Sequence, residues 1–225
     1  EPLRAVITPI ERAEQPVPGR SYRQLGVRLW GEGGYEREPL DGGNTRYSAL
    51  YQVRRDDVVV NKIWARNGSV ALVPPSLDGC YVSGEFPTFT IDHTRLIPRW
   101  FHWLTKTSGF WQQCDQKSQG TSGKNRIRPE QFLSVTIPLP PLDEQRRIVA
   151  RIEELAGKIE EARGLRREAI AAMTHLWSGV LRKVYALPDA PSMALKAACI
   201  AIIDNPHSTP IYDGEDFPCV RSQDV

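Results

Sequence analysis

Two different spacings of apolar residues divide this chain near residue 142. Before that point, apolar residues occur in short runs separated by Gly, Pro and polar residues, which predicts β-strands joined by turns. After it, apolar residues recur at alternating steps of four and three, which predicts a long amphipathic helix. The predicted fold class is therefore α+β, with a mixed part that contains a β-sheet followed by one long coiled-coil-type helix.

In the first part, the best strand candidates are the runs rich in β-branched residues. Arg66-Asn-Gly-Ser69 predicts a hairpin-type turn between two of them. Residues 1–48 are predicted to contain turns between short extended stretches. Residues 98–105 are predicted to be helical, and their aromatic side chains and Phe110 are expected to pack in the core rather than bind a ligand. The predicted strands are residues 51–55, 57–64, 70–73, 80–83 and 85–91.

The second part contains no proline between Pro141 and Pro188, and Asp143 is the predicted N-cap. Some 40 residues at 1.5 Å each form a helix of roughly 60 Å. One helix cannot bury its own apolar seam, so we expect a partner helix from sequence outside this chain or from a second copy. The seam consists of Ile148, Ile152, Leu155, Ile159, Ala162, Ala169, Met173, Leu176 and Val180, with Arg166 as its one break.

The last 40 residues again show short strand-like runs and turn-rich segments, and they are too few to fold alone easily. We therefore predict that they open a second domain, and we expect the chain to be a fragment at both ends. The predicted boundaries are residues 1–141 for the first domain, 142–186 for the helix and 187–225 for the beginning of the second domain.

Charge is unevenly distributed along the 225 residues, although the net charge is only +2. Residues 1–141 carry 18 Lys and Arg against 14 Asp and Glu, which favours a polyanionic partner. No apolar run approaches the roughly 18 residues of a membrane helix. The four cysteines are far apart and form no CxxC pair, so we expect reduced thiols in a cytoplasmic protein.

Motifs that carry chemistry are absent from the sequence. The four histidines have no metal-ligand spacing, and the segment around Lys124 has two residues between its glycines where a P-loop requires four. Neither a nuclease cluster nor a methyltransferase motif is found. The sequence therefore predicts a protein with no catalytic residues and no metal of its own.

The segment Gly120–Val149, which includes Ile137-Pro-Leu-Pro-Pro-Leu-Asp-Glu-Gln145, resembles a junction in the specificity subunits of type I restriction-modification systems. In that family the pattern lies where a target recognition domain ends and a conserved helix begins. The resemblance continues to about Tyr185. Residues 203–224 are similar to the N-terminal signature of another recognition domain, and residues 1–115 match more weakly.

The resemblance implies two recognition domains and two helices that pack antiparallel, with each domain reading one half of a split site on double-stranded DNA. The helices act as a ruler between the half-sites and dock the methyltransferase subunits. Methylation, ATP hydrolysis and cleavage belong to the methyltransferase and restriction subunits, which bring S-adenosylmethionine, ATP and magnesium. We therefore expect no cofactor in this chain and no membrane association.

Three loops are predicted to contact DNA, because lysine and arginine neutralise phosphates and amide side chains read base edges. The alternatives are a structural loop that supports the helix, for residues 117–128, and a solvated hairpin tip with Trp64 packed beneath, for residues 62–67. The candidates are Arg46, Tyr47, Lys62, Arg66, Asn67, Lys117, Gln119, Lys124, Asn125, Arg126 and Arg128. A competing hypothesis for the whole chain is a coiled-coil adaptor whose globular domain binds protein.

Overall fold

The computed structural model describes residues 1–118 and 125–185, with the backbone alone at residues 184 and 185. The chain comprises two compact units, Glu1–Arg163 and Gly164–Val225. The predicted second domain and two candidate DNA contacts, Gln119 and Lys124, lie outside the described residues.

Within the described residues, two β-sheets and four α-helices are formed, as the α+β prediction requires. The helices are Pro98–Leu104 (α1), Ser108–Gln116 (α2), Pro129–Phe132 (α3) and Leu142–Tyr185 (α4). The strands are Ile7–Pro9 (β1), Ala13–Glu14 (β2), Ser21–Val27 (β3), Gly34–Asp41 (β4), Leu50–Gln52 (β5), Val58–Val60 (β6), Val70–Leu72 (β7), Tyr81–Val82 (β8) and Thr88–Ile91 (β9).

The four-stranded sheet is antiparallel throughout, with the order β1-β9-β6-β7. The five-stranded sheet has the order β2-β5-β8-β3-β4 and is mixed, because β3 and β8 run parallel. Strand β6 is buried on both faces. Since side chains alternate along a strand, Val58 and Val60 pack in one core and Val59 packs in another.

The larger core lies between the four-stranded sheet and the helices. Phe101 and Phe110 meet edge to face with ring centroids 5.9 Å apart, and Phe132 contacts both Phe110 and Phe89. Trp100 is also buried, and its indole N–H donates to the carbonyl of Pro138. The packing role predicted for the aromatic side chains of α1 is therefore confirmed.

The junction before α4 is held by hydrogen bonds to Glu1 and to the residues that precede α1. The backbone nitrogen of Glu1 donates to the carbonyl of Ile137 over 2.7 Å. Gln145 is fully buried, and its side chain makes three hydrogen bonds: Oε1 accepts from the N–H of Ile97, and Nε2 donates to the carbonyls of Arg95 and Pro140. The glutamine of the Pro-Leu-Asp-Glu-Gln motif thus fixes the beginning of the helix to the domain.

The long helix is confirmed, but the predicted N-cap is wrong. The helix begins at Leu142, so Asp143 lies in its first turn and pairs with Arg146. The carbonyl of Pro141 already accepts from the N–H of Gln145, which places the first helical hydrogen bond earlier than the prediction did.

The strand predicted over residues 57–64 ends at Val60, and the turn after it is wider than a tight hairpin. Val60 pairs with Val70, so nine residues connect β6 to β7. Asn61 ends the strand because its Oδ1 accepts from the N–H groups of Ile63 and Trp64. A 3₁₀ turn, Ala65–Asn67, follows and is terminated by Gly68 at φ +74°.

The structure also differs from the prediction in the hairpin of β3 and β4, where the sequence predicted turns between short extended stretches. These strands have seven and eight residues, and most of the side chains on β4 are exposed. With little apolar alternation in β4, the pattern of the sequence carried no strand signal there.

Candidate nucleic-acid interface

The connection between β6 and β7 is the centre of a set of loops that we call the loop cluster. The cluster consists of residues 28–33, 61–68, 84–86, 105–118 and 125–128. Each of the other four segments contacts residues 61–68 directly, so residues far apart in sequence lie next to one another.

Lys62 joins three of these segments. Its carbonyl accepts from the N–H of Ile127, its N–H donates to the carbonyl of Glu85, and its Nζ donates to the carbonyl of Gly84 over 2.6 Å. Arg126 forms an ion pair with Glu85 at 3.3 Å. Gly84 and Glu85 therefore bind both candidate cations, Lys62 through two hydrogen bonds and Arg126 through the ion pair.

The tip of the β3–β4 hairpin is bound to the 3₁₀ turn. The N–H of Trp30 donates to the carbonyl of Asn67 over 2.7 Å, and the N–H of Gly31 donates to the carbonyl of Gly68. The Nζ of Lys106 donates to the carbonyl of Gly31 over 2.8 Å. Backbone hydrogen bonds therefore fix the position of this tip.

A groove of about 570 Å³ opens between the 3₁₀ turn and α2. Trp30 and Trp64 are 54% and 44% exposed, and Trp30 meets Trp111 edge to face at 5.7 Å. The guanidinium of Arg66 lies 5.9 Å from the ring of Trp64. Such a groove offers aromatic rings, amides and a cation to one ligand. Its lining includes Trp64, Arg66, Asn67, Trp111, Gln112 and Asp115.

The cluster is basic, since its segments contain seven lysines and arginines against three acidic residues. Burial lowers the pKa of Lys106, and the charge of Glu32 partly opposes that shift. Excess positive charge on loops attracts polyanions. The surface is therefore electrostatically suited to a phosphate backbone.

The structure brings most of the described candidate DNA contacts into this cluster. Arg46 and Tyr47 are exposed in the loop between β4 and β5, and among the described residues no hydrogen bond or ion pair joins them to it. The alternative for this loop required Trp64 to be packed beneath the tip, but the side chain is 44% exposed. The candidates that the cluster contains are Lys62, Arg66, Asn67, Lys117, Asn125, Arg126 and Arg128.

Sequence reasoning missed four residues of the cluster: Trp30, Lys106, Trp111 and Gln112. A signal was present for Trp30, because it directly precedes the turn-forming segment 31–34 and a large aromatic residue at a turn tip is rarely needed for packing. Trp111 and Gln112 lie on α2, where nothing in the local pattern indicated that the helix would face the 3₁₀ turn.

Among the described residues, no group of three or more His, Cys, Asp or Glu side chains is placed to hold a metal. Cys80 and Cys114 are free and buried, and burial raises the pKa of the Cys114 thiol to about 12. Burial, with the charges of Lys106 and Arg99, lowers the pKa of His102 to about 4. No helix in the described part of the chain is long and apolar enough to cross a membrane.

The predicted seam begins inside the domain. Ile148 and its neighbour Val149 pack in the larger core, and Ile152 is half-buried, so this end does not require a partner helix. Leu155 and Ile159, by contrast, are exposed.

In the second unit, the described part of the helix carries a wider apolar face than the predicted seam. The predicted members Met173, Leu176 and Val180 are 71%, 73% and 45% exposed. Three further apolar residues that the heptad pattern left out are also exposed: Leu165, Ile170 and Trp177.

The fold defines the class of this protein. It is an α+β domain that continues into a long helix and carries a basic loop cluster. Residues 34–168 match the family model described as the type I restriction modification DNA specificity domain. The chain belongs to this family, as its junction motif predicted.

Solved structures of specificity subunits show the same fold. The HsdS subunit from Thermoanaerobacter tengcongensis is 27% identical, with a TM-score of 0.67 over 85% of this chain and 50% of that one. A second structure, from a description of complex assembly and conformational transition of the type I R-M system, is 24% identical. Its TM-score is 0.62 over 86% of this chain and 50% of that one. This chain thus spans about half the length of the structures it matches. Comparison with curated proteins gave no match.

Proposed function

We propose that this chain is a DNA-binding specificity module of a type I restriction-modification complex. It reads one half-site of a bipartite target and performs no catalysis itself. The observation that carries the proposal is the loop cluster, in which basic, amide and tryptophan side chains from five segments meet on one surface. Membership of the DNA specificity domain family supports it.

In this mechanism, the cations of the cluster contact phosphates and set the position of the domain on the duplex. Amide side chains then read base edges, because an amide can both donate to and accept from adenine. Asn67 and Gln112 line the groove, and Asn125 adjoins Arg126. Arg46 and Tyr47, outside the cluster, remain predicted contacts.

The long helix would dock the methyltransferase subunits, and those subunits with the restriction subunit would supply S-adenosylmethionine, ATP and magnesium. Support comes from the apolar side chains that remain exposed from Leu155 to Val180. The second half-site would be read by a further domain or by a second copy of the chain paired through its helix.

Selection of bound duplexes from a random pool tests the proposal. The 225-residue chain should enrich one short motif, and its affinity for that motif should fall steeply between about 50 and 200 mM salt. A symmetric split motif would add that the chain dimerises. If the folded chain enriches no motif and binds duplex at no salt concentration, DNA reading is refuted.

Substitution of Lys62 and Arg126 together by Ala tests the role of the cluster. Loss of two phosphate contacts should reduce the slope of log affinity against log salt by about 2. Arg95→Ala is the matched control, because Arg95 is also exposed and ion-paired but contacts Glu1 and Ala5 outside the cluster. An unchanged slope in the double variant would remove the cluster from the proposed interface.

One observation favours a second function. The exposed apolar face of α4 suits a coiled-coil adaptor that binds another protein. Such an adaptor would show no salt-dependent DNA binding at any motif, so the same titration separates the two functions.

A further inference from the structure

Trp30 has an unusual combination of backbone and side-chain properties. It lies at the tip of the β3–β4 hairpin with φ +58°, and its side chain is 54% exposed. A bulky residue rarely adopts the left-handed region, where glycine is favoured, and such strain concentrates at functional sites. More than half of the side chain is exposed, so contact with Trp111 uses only part of the ring. Packing alone therefore does not account for a tryptophan at a strained position.

The surrounding structure holds Trp30 in this conformation. The N–H groups of residues 30 and 31 donate to the carbonyls of Asn67 and Gly68, and Lys106 donates to the carbonyl of Gly31. The ring rests against the edge of Trp111, whose indole N–H donates to the carbonyl of Thr105 over 2.6 Å. A Cβ at Gly68 would lie 2.6 Å from that indole nitrogen. The tip and its support are consequently rigid.

The chemistry next to Trp30 fits a nucleobase. The adjoining groove is lined by the rings of Trp64 and Trp111 and by the amides of Asn67 and Gln112, and the guanidinium of Arg66 lies over the ring of Trp64. Aromatic rings and guanidinium groups stack on bases, and amides bond base edges. Apolar side chains that insert into duplexes are used elsewhere to unstack base steps. The basic segments around the groove complement the flanking phosphates.

We propose that Trp30 inserts at one base step of the half-site and that the groove beside it receives the base that becomes unstacked. The inference rests on the proposed function and extends it. Target choice would then include the ease of unstacking at that step, in addition to the hydrogen-bonded readout of base edges.

The test compares Trp30→Gly and Trp30→Phe on the selected motif. Glycine accepts the positive φ, which offsets part of the loss of the contact with Trp111, so the glycine variant should remain folded while its affinity falls roughly 5- to 150-fold, as loss of one base stack implies. The phenylalanine variant should recover most of the affinity. Val17→Ala is the control, because Val17 is an exposed apolar residue (51%) outside the loop cluster, and this variant should bind like the wild type.

A second readout reports the base itself. With 2-aminopurine placed in turn along the motif, binding of the wild type should change the fluorescence at one position, and binding of Trp30→Gly should not. If the glycine variant does not fold, Trp30→Asn takes its place, since asparagine also accepts this φ and has no ring. Wild-type affinity in the ringless variant, or the same change in fluorescence as in the wild type, overturns the inference while DNA binding stands. A wild type that selects no motif overturns both proposals.

Discussion

Replacement of Gln145 by Ala should loosen the long helix from its domain. The change removes the three hydrogen bonds that join the beginning of α4 to Ile97, Arg95 and Pro140 at 2.8–2.9 Å. A buried polar group left without a partner costs about 1–3 kcal/mol. Three backbone groups would lose their partner, and we expect a total loss of about 2–5 kcal/mol in the free energy of unfolding. That is a large share of the roughly 5–15 kcal/mol of a typical domain.

Equilibrium urea unfolding measures this loss, and tryptophan fluorescence is a suitable signal because Trp100 bonds Pro138 at the same junction. Gln116→Ala is the control, since Gln116 is exposed on α2. Gln145→Glu should be at least as harmful at neutral pH, because a carboxylate would face two carbonyl oxygens. If Gln145→Ala unfolds within about 0.5 kcal/mol of the wild type, the hydrogen bonds do not hold the junction.

Two further predictions concern the loop cluster and α1. Gly68→Ala should lower the free energy of unfolding by about 1–3 kcal/mol, because it combines a positive φ with the clash on Trp111. Gly33→Ala has a positive φ and no neighbour within 4 Å, so an equal loss there would refute the clash. His102 has a folded pKa of about 4, below its ordinary 6.5, so the unfolded state binds the extra proton and stability falls as pH drops from 6.5 to 4. The contribution of His102 to this loss of stability is roughly 1–2 kcal/mol after allowance for solvent screening, and His102→Gln should lack it in acid titrations of unfolding. If the variant and the wild type show the same dependence of stability on pH, the prediction is contradicted.

Features set by local spacing could be predicted from the sequence. The alternating steps of four and three apolar residues predicted a long helix, its beginning was marked by Pro141, and β-branched runs predicted β6 and β7. The same reasoning failed for β4, whose exposed side chains leave no alternation. The Gln145 motif identified the family, but its physical role became clear only from the three hydrogen bonds at the junction.

The candidate site was predicted in part. Basic and amide residues in turns marked Lys62, Arg66 and Arg126, because polar residues in loops seldom serve the core. Trp30 and Trp111 were missed, since their importance comes from contact with each other and with the turn at residues 65–68.

The sequence by itself determined the period of the long helix and of the buried strands, and with it the face that is apolar, because side-chain direction follows from backbone geometry within a few residues. The tertiary structure decided which distant segments meet. It placed five loops on one surface, covered the first turns of the helical seam with the domain's own core and held Trp30 in a strained conformation. Those outcomes depend on the summed packing of strands and helices far apart in the chain, which local spacing does not specify.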